Sequence, residues 1–203
     1  MFSRGNGKAN DAALFFGQFM RSPGTTGAVA PSSRRLAKVV ATPIPERGDP
    51  VVVELGPGTG VFTDEIQRRL GARGDHLAVE INPRLAALLA NRHPRAKIIV
   101  ADAVGLPALL TEHGHEQADV VISGLPWGAF PAGLQDKLLG AIREVLTPGG
   151  AFTTFAYVHA RTLPPAMRFR RRLLESFEEV VVSRTVWANV PPAFVYHARR
   201  PRH

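Results

Sequence analysis

The order of apolar and amphipathic stretches predicts a doubly wound α/β sheet. Three observations carry this. From residue 50 to about 160, short apolar runs alternate with helical patterns. A glycine-rich turn, Gly56-x-Gly58-x-Gly60, follows the first run directly. After a basic helical stretch the chain ends on two β-rich runs around Asn189-Val190-Pro191-Pro192, which reads as a hairpin or near-hairpin.

The elements follow in order. PVVVEL (50–55) is a continuous apolar run before the glycines, the pattern of a strand buried on both faces. VFTDEIQRRLGA is a helix ending near Gly71, and HLAVEI is the second strand. NPRLAALLANRH is a helix with an Asn cap and Pro at its first position. AKIIVAD and ADVVISGL are strands three and four. In PAGLQDKLLGAIREVLTPGG, Leu134, Leu138, Ile142 and Leu146 fall at helical spacing, with a stop at Pro148-Gly149-Gly150. AFTTFAYVHA is strand five, and a basic helix is expected near 163–176.

Composition sets bounds. The chain has 203 residues, 45% hydrophobic and 21% charged, which is enough for one domain with a core. No apolar run approaches the length of a membrane span. The N-terminus lacks the apolar region of a signal peptide. There is no cysteine, so disulfides and thiolate metal sites are excluded. A cytoplasmic location is therefore expected. Net charge is +8, and only four of the 25 basic residues are lysines, the other 21 being arginines. Genome composition can cause that bias. An anionic partner also suits it, because arginine pairs bidentately with phosphate. His113 and His115 in HGHE lack further clustered ligands, so they read as a polar loop and no metal is expected.

The glycines suggest a nucleotide-like ligand at the carboxyl end of the first strand. Glu54 precedes them, and an acid there suits a cationic or zwitterionic ligand better than a pyrophosphate. Glu80, 20 residues after Gly60, ends the second strand. An acid at that place accepts the hydroxyls of an adenosine ribose. Asp102 ends the third strand, placed to accept from an adenine amino group. Each feature is weak alone, and together they mark one acid per successive strand.

The stretches VELGPGTGVFT, AVEINP and VADA resemble the S-adenosylmethionine pocket of class I methyltransferases. The resemblance implies a Rossmann-like, seven-stranded sheet with a reversed last strand, and S-adenosylmethionine as methyl donor. It puts Glu54, Gly56, Gly58 and Gly60 on the methionine side. Glu80 would hold the ribose, Ile81 would pack on the adenine ring, and Asp102 and Ala103 would lie at its edge. Ser123 joins this set, and its hydroxyl can also supply an oxygen to an acceptor amine.

The acceptor side is expected after strand four, at Gly124-Leu125-Pro126-Trp127. This resembles the Asn-Leu-Pro-Tyr motif of adenine amino-methylating enzymes, with glycine in place of Asn. Losing that amide argues against adenine, and Gly124 is expected to leave room for a tetrahedral ammonium. GAVAPSSRRLAKVVA (27–41), SGLPW, TTFAYV and VWANVPPAFVY (186–196) are similar to the bacterial phospholipid N-methyltransferase family. That resemblance implies methylation of phosphatidylethanolamine toward phosphatidylcholine, by a protein peripheral on the inner face of the membrane. It puts Tyr157, Trp127 and Pro126 at the reacting amine. Ser32, Ser33, Gly124, Leu125, Asn189 and Arg171 would contact the substrate.

Simpler readings stand beside these. Trp127 is either a cation–π wall or core packing. Ser32 and Ser33 cap a helix or touch a carboxylate or phosphate. Arg168, Arg170, Arg171 and Arg172 clamp lipid phosphate or form a solvated face. Tyr157, Glu54 or water takes the amine proton. Residues 1–48 are expected as a helical extension of a single domain whose core is 49–203. Within that extension, Ala12, Phe15, Phe16, Phe19 and Met20 share a helical face. That face either lies in a headgroup layer or packs on the domain. Two other functions remain open: an RNA adenine N6-methyltransferase, and a non-catalytic S-adenosylmethionine-binding protein.

Overall fold

A computed structural model describes residues 32–202. The expected apolar face at 12–20, and residues 27–31 of the upstream motif, lie outside the described residues.

Seven strands form one sheet: β1 (Val51–Leu55), β2 (Asp75–Glu80), β3 (Lys97–Val100), β4 (Ala118–Ser123), β5 (Leu146–Tyr157), β6 (Phe177–Val182) and β7 (Ala193–Pro201). Their order is β3-β2-β1-β4-β5-β7-β6. The first five are parallel, and β7 runs antiparallel to both β5 and β6. The chain order therefore reverses at β1–β4, the place where such sheets open a crevice at the strands' carboxyl ends.

Among the described residues, six helices flank the sheet: α1 (Arg34–Val40), α2 (Val61–Leu70), α3 (Pro83–Arg92), α4 (Leu106–Glu112), α5 (Ala132–Val145) and α6 (Pro164–Ser176). Their ends follow local chemistry. Ser33 caps α1 by accepting from the Leu36 N–H at 3.1 Å. Asn82 caps α3, with Pro83 at its first position. Gly71 ends α2 at φ 62°, a conformation glycine adopts without a Cβ penalty. Helix α4 lies outside the elements expected from the sequence, and its Leu106 and Leu110 are buried on one face. The expected helix through Leu146 ends at Val145 instead. Leu146 pairs with Ala118, and pairing resumes only at Ala151 with Val120, so Pro148-Gly149-Gly150 forms an irregularity at the start of β5.

Alternate residues of the strands face two cores. Val53, Leu55, Val121 and Phe152 pack under α4, α5 and α6. Val52, Val120, Ile122 and Val195 pack under α1 and α2. Helix α1 belongs to the fold: Leu36, Ala37 and Val40 are buried, and the Thr153 hydroxyl donates to the Val40 carbonyl at 2.8 Å.

Candidate active site

The glycine turn leaves β1 at the crevice. The Gly56 N–H donates to the Val79 carbonyl at 2.9 Å, and the Gly60 N–H to the Pro57 carbonyl at 2.9 Å. All three glycines have positive φ, but they face different neighbours. A Cβ on Gly60 would lie 2.8 Å from Leu89 Cδ2, so Gly60 lets α2 approach α3. A Cβ on Gly56 would lie 2.7 Å from Leu125 Cδ2. Around Gly58 nothing lies within 4 Å of such a Cβ. The bare backbone is therefore open to a ligand at Gly58, and Gly60 serves the packing of the fold.

Glu80 ends β2 fully buried. Its Oε2 accepts from the Gly58 N–H at 3.1 Å, and its Oε1 from the Asn82 N–H at 2.9 Å. Each oxygen keeps lone-pair capacity for another donor. Burial raises the pKa of this carboxyl above its ordinary value, opposed by those backbone donors. Asp102 accepts from the Val104 N–H at 3.0 Å through Oδ1, which leaves Oδ2 available. Gly56, Glu80, Ile81, Asp102, Ala103 and Leu125 line one cleft of about 390 Å³, counting its solvent-filled mouth. Phe130, Leu134 and Leu138 close its other wall. The helical spacing of Leu134 and Leu138 carries no sign that they border this cleft.

Several expected site residues lie elsewhere. Glu54 is buried beneath the turn and does not line the cleft: its Oε2 accepts from the Thr63 hydroxyl at 2.8 Å and lies 3.2 Å from His76 Nε2. It anchors the first turn of α2. Ser123 is also buried, and its hydroxyl oxygen accepts from the Leu125 N–H at 3.2 Å and the Trp127 Nε1–H at 3.0 Å. It thus shapes the 124–127 loop from inside. Trp127 takes the core alternative. It is buried, its ring stacks on Phe169 at 4.6 Å, and it meets Phe130 and Phe152 edge-on. Buried Gln135, unnoticed in the sequence, donates to the Trp127 carbonyl at 2.7 Å.

Gly124 does not leave room. An added Cβ would lie 2.6 Å from the Gly56 carbonyl oxygen. Glycine is needed there because two backbones touch, which corrects the expected space for an ammonium. Asn189 is buried and spent on structure. Its Oδ1 accepts from the Ser33 N–H at 2.8 Å, and its Nδ2 donates to the Pro191 carbonyl at 2.7 Å. Ser33 acts as the helix cap, and Ser32 is half-buried just before it. Arg171 is exposed on α6, 3.7 Å from Glu175. Pro126 and Tyr157 remain half-buried. Tyr157 ends β5, stacked on His159 at 5.6 Å. Burial raises its phenol pKa above 10.0, so at neutral pH it is a donor and not a base.

The chain matches the family model described as "Methyltransferase domain" over residues 52–150. It is 35% identical over 195 residues to the ornithine lipid N-methyltransferase of Singulisphaera acidiphila, covering 93% of this chain and 96% of that protein. The chain belongs to the class I S-adenosylmethionine-dependent methyltransferases. Solved structures share the fold of this methyltransferase. The Bacillus cereus O-methyltransferase in complex with SAH has a TM-score of 0.65 at 12% identity, covering 92% of this chain and 90% of that one. The Thermotoga maritima spermidine synthase has a TM-score of 0.62 at 15% identity, covering 83% of this chain. The methyltransferase spans 60% of the length of the spermidine synthase chains it matches. The enzyme is an S-adenosylmethionine-dependent N-methyltransferase, and its cleft fits that cofactor. Open Gly58, the spare lone pairs of Glu80 and Asp102, and apolar Ile81 offer one polar end and one flat apolar wall.

Proposed function

We propose that this methyltransferase methylates the headgroup amine of a membrane lipid. The observation that carries the reading is the near full-length relationship to a lipid N-methyltransferase. Phosphatidylethanolamine is one acceptor that fits, and an ornithine lipid is the second, favoured by the name of that relative. Both present an amine on a lipid anchored beside phosphate or carboxylate groups.

When bound, S-adenosylmethionine supplies an activated methyl group, so the protein's part is alignment and exclusion of water. Gly58, Glu80, Ile81, Asp102 and Ala103 hold the cofactor. Leu125 and Pro126 border the acceptor side, held by Ser123, Trp127 and Gln135 from beneath. Tyr157 donates a hydrogen bond to the headgroup. A lipid amine resembles that of lysine, with a pKa near ~10, and must lose its proton before attack. Tyr157 keeps its own proton and Glu54 is buried away from the cleft, so the amine gives up its proton to the solvent before it enters the water-excluding site.

The test is methyl transfer from labelled S-adenosylmethionine to phosphatidylethanolamine, to ornithine lipid and to a structured rRNA fragment. Labelled lipid with unlabelled RNA supports the reading. Labelled RNA with inert lipids would overturn it.

A further inference from the structure

We propose that the end of the sheet carrying the cofactor cleft is a docking face for an anionic lipid bilayer, with Trp187 inserted into it. This rests on the lipid reading and adds the surface through which the substrate is reached. The β5–β7 end of the sheet bears four large, exposed apolar side chains. Trp187 is 75% exposed, Val190 71%, Met167 59% and Leu163 53%. They belong to two neighbouring segments. The Val158 N–H donates to the Pro192 carbonyl at 3.0 Å, so the connection from β5 into α6 runs beside the 183–192 loop. Tyr157 pairs with Ala193, which puts both segments at the carboxyl end of β5. The same end of the parallel strands carries the cleft.

Charge identifies the occupant. Arg161 and Arg184 are exposed within those two segments. Arg34 and Arg35 are exposed at the start of α1, tied to the same loop by the Ser33–Asn189 bond. Segments 32–45, 146–174 and 180–202 contain no Asp or Glu. Exposed aromatic and aliphatic tips beside Arg34, Arg35, Arg161 and Arg184, which form no ion pair among the described residues, match an anionic headgroup layer, where rings settle at the interface and cations meet lipid charge. The 183–192 loop is also tied to the fold: Asn189 is buried beneath it, and the Val186 N–H donates to the Ala193 carbonyl at 2.7 Å. Trp187 is thereby presented on a loop held by backbone and side-chain hydrogen bonds.

Trp187 and buried Trp127 are the two tryptophans of the chain, so the difference in emission between the wild type and Trp187→Phe reports on Trp187. Phosphatidylcholine vesicles with and without phosphatidylglycerol are added to the full chain, including brominated lipid. The expected result is a blue shift and bromine quenching with phosphatidylglycerol only, weakened by salt and absent in Trp187→Phe. Arg184→Ala should weaken vesicle binding roughly fivefold, and Val190→Asp should reduce it further. Vesicle binding with unchanged Trp187 emission overturns the proposal, as does a Trp187 shift caused by RNA and not by vesicles. Transfer to aminolipid dispersed in neutral detergent separates the two readings. Val190→Asp should keep that activity, while an inactive wild-type enzyme there would sink the lipid substrate instead of the docking face.

Discussion

The backbone N–H of Gly58 donates to Glu80 Oε2 at 3.1 Å. This bond joins the turn after β1 to the end of β2. Asn82 holds the other oxygen at 2.9 Å, so the carboxylate is fixed before any ligand arrives. A fixed acceptor loses little conformational entropy on binding. Glu80→Ala should therefore weaken S-adenosylmethionine binding by about 1.5–3 kcal/mol, the scale of charge-assisted hydrogen bonds. Titration calorimetry checks it, and unchanged affinity would remove Glu80 from the ribose.

The same carboxyl gives a pH dependence. Burial raises its pKa above 4.5. The charged form accepts from the ligand, and the protonated form loses acceptor capacity. Affinity should fall on acidification, starting at a higher pH than for an ordinary carboxylate. Glu80→Gln should flatten that fall. A wild-type affinity that stays level down to pH 4.5 contradicts the assignment.

Gly124 offers a test of packing against substrate choice. An added Cβ meets the Gly56 carbonyl oxygen at 2.6 Å. Gly124→Ala should cost roughly 1–3 kcal/mol, as overpacking does, lowering Tm by about 2–12 °C for a chain of this size. Gly124→Asn should be destabilised at least as much and gain no methylation of adenine. A stable Gly124→Asn enzyme that methylates RNA would restore the idea that this one residue selects the acceptor.

The sheet was legible because its strands are apolar runs punctuated by glycine and proline. The Asn82 cap and the Gly71 stop were readable for the same local reason. Glu80, Ile81, Asp102 and Ala103 were readable because the carboxyl ends of successive strands converge on the crevice in this topology. Three kinds of fact were hidden. Glu54 sits in the same motif, but strand alternation turns it away from the cleft, toward Thr63 and His76. Trp127 sits in the acceptor motif, but its ring is taken by Phe169, a contact 42 residues away in sequence. Gly124 looked like lost bulk because the touching carbonyl of Gly56 belongs to another loop. Sequence spacing carries none of these tertiary distances.

Ser123 tests the support of the acceptor loop. Removing its hydroxyl leaves the Trp127 Nε1–H and the Leu125 N–H without their acceptor in a buried place. Ser123→Ala should cost about 1–3 kcal/mol per orphaned donor at most and lower the rate of methyl transfer more than cofactor affinity. Denaturant unfolding and calorimetry separate the two effects. A larger loss of cofactor affinity than of rate would put Ser123 back at the cofactor.

Two half-buried imidazoles, His93 and His197, make stability depend on pH. Desolvation is the main cause lowering the pKa of His93 and of His197 below 6.5. Their contribution to stability is full above 6.5. It is lost as the pH falls from 6.5 toward the depressed folded values, because the unfolded chain binds protons first. The urea midpoint should drop over that range, and His197→Gln should lessen the drop. A midpoint constant from pH 7 to pH 5 would contradict this.

The central claim is that this class I methyltransferase acts on a lipid amine at a membrane surface. The most direct measurement is label transfer from methyl-labelled S-adenosylmethionine in one mixture of aminolipid vesicles and structured rRNA, with lipid and RNA separated afterwards. The expected result is label in phosphatidylethanolamine, in ornithine lipid or in both, with none in RNA. Label confined to adenine, with both lipids inert, would contradict the account.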